Sequence, residues 1–100
     1  MKTILLTIIL TLAANISLAS STVGGYPACV SYDFFKQFVK AETRGDDNAL
    51  TYLTSNMYCI VSKANIPISV LDRGFGWHHV RAYADNGVVL ELWTNSENIK

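Results

Sequence analysis

From Ser31 onward the apolar residues recur three and four apart, at Phe34, Phe35, Phe38 and Val39. That spacing places them on one side of an amphipathic helix over residues 32–44. Ser31 stands where an N-cap is expected, Asp33 lies in the first turn, and Gly45 follows where a left-handed C-terminal cap belongs. Asp46 and Asp47 can cap a second, shorter helix whose apolar residues Ala49, Leu50 and Leu53 repeat the spacing, and Thr54-Ser55-Asn56 ends it. The two elements form a predicted helical hairpin over 31–56, and its phenylalanines need an apolar surface to cover.

After Met57 the period changes from helical to alternating. Tyr58–Ser62, Ile68–Leu71, Trp77–Tyr83 and Val88–Trp93 are rich in β-formers, with Pro67 at a strand start or edge. Asp72–Gly76 reads as a turn, and Asn86-Gly87 between two β-rich runs is a strong hairpin signal. In an extended strand over 77–83, Trp77, His79, Arg81 and Tyr83 point to one side while His78, Val80 and Ala82 point to the other. Trp93, beside Glu91, is expected to join the first set, and Val88, Leu90 and Leu92 alternate onto the second as core. The pattern predicts an α+β fold: a helical hairpin packed on a small four-stranded antiparallel sheet.

The N-terminus has a different character. Lys2 precedes a run that is almost wholly apolar from Ile4 to Ala14, and Ser17-Leu18-Ala19 supplies a small-x-small cleavage box. Residues 1–19 are predicted to be a secretory signal peptide, too short in its apolar part to span a bilayer at about 20 residues. No membrane anchor is expected in the mature form, which is exported to the periplasm or the extracellular space. The Gly-rich stretch after the leader makes 20–30 a flexible lead-in.

Removing nineteen of the 100 residues leaves 81, enough for one domain. The whole chain is formally neutral, and loss of Lys2 makes the mature form about −1. With no basic run or stripe, nucleic acid is not an expected partner. The two cysteines of an exported chain have one possible pairing, Cys29 with Cys59. The loop so closed is worth about 3–4 kcal/mol in the chain-entropy view, a large share of the roughly 5 kcal/mol that stabilises a domain this small.

Chemistry is sparse. His78 and His79 alternate to opposite faces and cannot hold one metal from a regular strand, and the cysteines that would complete a zinc site are committed to each other. Asp72, Asp85, Glu91 and Glu97 show no spacing that suggests paired carboxylates. The serines lie in ordinary strand or turn contexts, without a strained elbow. No catalytic residue, cofactor or metal is therefore expected. The distinctive surface is the set Trp77, His79, Arg81, Tyr83 and Trp93, rich in residue types that dominate binding hot spots. The competing view is that the helical hairpin covers the two tryptophans, leaving the other face free to bind.

The run VLDRGFGWHHVRAYADNGVVLELWTNSENI resembles the second half of bacterial Src-homology-3-like domains. The resemblance rests on Gly76, Trp77, Val80, Arg81, Gly87 and Trp93, followed by the polar turn Ser96-Glu97-Asn98 and Ile99. It departs over the first half, where a helical hairpin and a short strand bearing Cys59 replace the family's first strand and long loop. The resemblance implies one domain over 31–100, with 57–100 as a partial barrel, the helices closing its open side, and the disulfide stapling helix to sheet. It also implies a non-enzymatic module binding a peptide, a cell-wall component or an envelope protein, an inhibitor or immunity-type protein among them. The rival classes are a small hydrolase using His78 or His79, with or without a metal, and a structural accessory subunit of an envelope complex.

Overall fold

The computed structural model describes residues 20–100, and the signal peptide expected over 1–19 lies outside the described residues. The elements in chain order are β1 (Ser20–Ser21), β2 (Pro27–Cys29), α1 (Tyr32–Arg44), α2 (Asp47–Ser55), β3 (Cys59–Val61), β4 (Pro67–Arg73), β5 (Trp77–Tyr83) and β6 (Val89–Asn95). A 3-10 turn over Ser96–Asn98 follows. The α+β class is as expected, but the sheet has six antiparallel strands rather than four, in the order β1-β4-β5-β6-β2-β3. It is not closed into a barrel by a continuous ladder.

Both extra strands come from residues 20–30, expected as a loose lead-in. Their Gly-Gly pair makes a bend, not a tether. Gly24 has φ +97°, and a Cβ there would lie 2.7 Å from the Ala64 backbone nitrogen, so only glycine lets the two chains approach. The bend is held by hydrogen bonds from Thr22 N to Ile66 O, Val23 N to Asn98 O and Gly25 N to Ser62 O. Ser21 and Lys100 exchange backbone hydrogen bonds of 3.0 Å in both directions, and Thr22 bridges Ile99.

The helix signals read from sequence act as expected. Ser31 Oγ accepts from Phe34 N at 3.1 Å, Gly45 ends α1 in the left-handed conformation, and Asp46 Oδ1 accepts from Ala49 N. Phe35 and Phe38 from α1 and Leu53 from α2 bury themselves against Cys29, Cys59, Trp77 and Trp93. The apolar surface the hairpin required is thus the disulfide plus two indoles.

Cys29 and Cys59 are bonded and are also direct register partners across β2 and β3, with Cα atoms 4.0 Å apart. The bond therefore links strand to strand, and corrects the expectation of a helix-to-sheet staple. It closes the segment that carries both helices.

Of the two placements that the sequence left open, the helices take the one that covers the two tryptophans. Strand alternation gives the sheet an outer face with Cys29, Cys59, Trp77, His79 and Trp93, and this is the face that α1 and α2 cover. The opposite, concave face carries a second core of Ala28, Ile68, Val80, Ala82 and Leu92, flanked by Ile60, Ile66, Val70 and Ile99. No residue of α1 or α2 contributes to it. The β4–β5 register shifts between Val70 and Asp72, a bulge that bends the strand pair.

Candidate functional site

The five residues expected to form a binding surface do share the outer face. β5 and β6 pair in register, setting His79 opposite Trp93 and Arg81 opposite Glu91. Their surroundings differ along the strand. Trp77 lies beside Tyr32 of α1, with ring centroids 5.1 Å apart, and its indole passes over Gly74, where a Cβ would come within 1.8 Å of the ring. His79 stacks flat on Trp93. Its Nε2 is 3.2 Å from Glu91 Oε1, close enough for an ion pair with a protonated imidazole but without the alignment of a hydrogen bond. At the far end, Arg81 meets Glu91 at 3.5 Å, and Tyr83 shares a 3.0 Å hydrogen bond with Ser69. Both ends of the Arg81–Glu91 pair are largely exposed, where such a contact adds at most about 1 kcal/mol.

His78 points to the other side of β5. Its Nδ1 is 2.9 Å from the Trp77 carbonyl oxygen and 3.1 Å from Ser96 Oγ. Since a carbonyl only accepts, a proton on Nδ1 would donate to it. The two histidines are thus engaged with different partners on different faces. Among the described residues, no group of three His, Cys, Asp or Glu side chains is placed to hold a metal ion.

The concave face holds a pocket of about 390 Å³ that sequence reading missed. Its floor is Ala28, Ile68, Val80, Ala82 and Leu92, and its mouth opens between the β3–β4 loop at Lys63 and the β5–β6 hairpin at Ala84, Asp85 and Leu90. Alternation marks Val88, Leu90 and Leu92 as core, but Val88 is exposed. In the fold, Leu92 is buried while Leu90, two residues earlier, is 43% exposed at the mouth. Small side chains create the space: alanines at 28, 82 and 84 stand where larger residues would fill it.

The polar residues along the inner end of the pocket are already bonded to each other. Asn98, with 0% exposure, donates to Ser62 Oγ at 2.9 Å and Thr94 Oγ1 at 3.0 Å and accepts from Gly24 N at 2.9 Å. Thr94 Oγ1 donates to Pro27 O at 2.7 Å, and Thr22 Oγ1 accepts from Ile66 N at 2.9 Å while donating to Lys63 O. Among the described residues, the two buried side-chain atoms without a hydrogen-bond partner, His79 Nε2 and Asn95 Oδ1, belong to residues outside the pocket lining. An apolar cavity without free polar groups does not hold water well and favours an apolar occupant.

Fold and site together define an α+β domain with one disulfide, a helical hairpin on one sheet face and an apolar pocket in the other. No protein-family model, curated protein or solved structure matches the chain.

Proposed function

We propose that the protein is an exported, non-enzymatic binding module of the bacterial envelope or its surroundings, and that its ligand site is the concave pocket. The pocket carries this reading: its volume falls in the range of small-ligand sites, and its lining is apolar with a few polar residues. Export is supported by the leader pattern, by the disulfide, and by the absence among the described residues of any helix long and apolar enough to cross a membrane. The resemblance to bacterial Src-homology-3-like domains supports a binding role over a catalytic one. Trp77, His79 and Trp93 serve packing on the outer face, whereas no residue of α1 or α2 packs into the apolar core of the concave face.

The test is titration of the purified exported chain with Nile red, an apolar dye whose emission rises and shifts to the blue on leaving water. Saturable binding that Ala82→Leu abolishes while the circular dichroism spectrum stays unchanged is expected. No saturable binding would end this reading.

A further inference from the structure

We infer that the pocket takes a single straight hydrocarbon chain, the acyl tail of a fatty acid or lipid. This rests on the reading of the pocket as the ligand site, and adds the class of ligand.

The shape comes from the strands. The lining follows β5 and the chain beyond it through Val80, Ala82 and Ala84, and β6 through Leu90, Leu92 and Thr94. Four residues of extended chain cover about 13 Å. An extended hydrocarbon chain can lie along the two strands over that length, and the volume of about 390 Å³ leaves room for it.

Chemistry narrows the ligand further. Ala28, Ile68, Val80, Ala82 and Leu92 offer only carbon, and Thr22, Thr94 and Asn98 at the inner end have their hydrogen bonds filled. A ligand with a polar group at its buried end would lose hydration and gain no partner. A methyl-ended chain loses nothing. The head group stays at the mouth, where Lys63 and Asp85 stand with opposite charges. Their sum is near zero, so the site selects by tail and not by head charge.

The experiment displaces Nile red from the exported chain with octanoate, decanoate, dodecanoate and palmitate, each below its micelle-forming concentration. Adamantane-carboxylate serves as a compact competitor. Affinity is expected to rise about fourfold per added methylene and to level off once the pocket is full. Ala82→Leu at the floor and Leu90→Asp at the exposed mouth should each weaken dodecanoate at least tenfold, and the second change spares the buried core. Co-sedimentation with phosphatidylglycerol vesicles that Leu90→Asp abolishes would assign the chain to a membrane lipid, whereas displacement in solution without co-sedimentation would assign it to a free acid. Dye that binds but is not displaced by any fatty acid, or is displaced equally well by adamantane-carboxylate, would overturn the acyl-chain inference and leave the binding-module reading standing. Absence of dye binding would remove both.

Discussion

The imidazole of His79 lies flat against the indole of Trp93, ring centroids 3.8 Å apart and planes within 7°. The stack occupies the ring face of the histidine and joins it to the core that α1 and α2 cover. His78, next in the chain, is held on the opposite face by Trp77 and Ser96. Adjacent histidines on a strand have opposite directions, and here each direction has its own partner.

The His79 stack should show in stability and not in metal content. His79→Ala is expected to lower stability by about 1 kcal/mol through lost stacking, read by urea denaturation. Added zinc should leave the melting temperature of the wild-type chain unchanged. A rise in melting temperature with zinc that His79→Ala removes would contradict this placement.

Removing the disulfide should cost far more. The bond closes a segment with a sequence separation of 30 residues, and the Cys29→Ala/Cys59→Ala chain should lose about 3–4 kcal/mol. Both sulfurs lie in residues that are almost wholly buried, so dithiothreitol alone should reduce them slowly. Free-thiol titration with and without urea would check this, and rapid reduction in native buffer would be the contrary result.

Asn98 joins the residues before β2, the β3–β4 loop and the C-terminal turn through three hydrogen bonds. Asn98→Ala leaves the Gly24 N–H and the hydroxyls of half-buried Ser62 and buried Thr94 short of a partner, at a cost of about 2–3 kcal/mol. A drop of that size in the urea-extrapolated stability is expected. Asn98→Asp should not restore it, because a carboxylate cannot donate to Ser62 and Thr94.

Neighbouring residues in the β4–β5 turn should differ in how much they matter. Gly74→Ala drives a methyl into the Trp77 ring, which must move off Tyr32. A loss of about 1–2 kcal/mol and a shift of tryptophan emission to the red are expected. Phe75, at 98% exposure, makes no comparable contact, and Phe75→Ser should change stability by less than about 0.5 kcal/mol.

The helices were legible because their signals are local: Ser31, Asp46 and Gly45 act within one turn of where they stand. Strands β3 to β6 were legible from alternation and from Asn86-Gly87. Strands β1 and β2 were not, since they are two and three residues long and are stabilised by distant partners, Ile68 for Ser20 and Thr94 for Ala28. That omission misplaced the disulfide, because Cys29 read as loop could not be seen to pair with Cys59 across a ladder. Alternation correctly grouped Trp77, His79, Arg81, Tyr83 and Trp93 on one face. It could not show which face the helices would choose, nor that three alanines on the other face would leave a cavity. Those are properties of packing between segments far apart in the chain.

The junction at Cys29 and Cys59 has a consequence for how such a protein can change. The helical segment leaves and rejoins the sheet at two points only 4.0 Å apart, locked by a covalent bond. Whatever lies between them can be shortened, extended or exchanged while the pocket floor keeps its register, provided the replacement shelters the two indoles. The scaffold thus separates the part free to diversify from the part that forms the pocket.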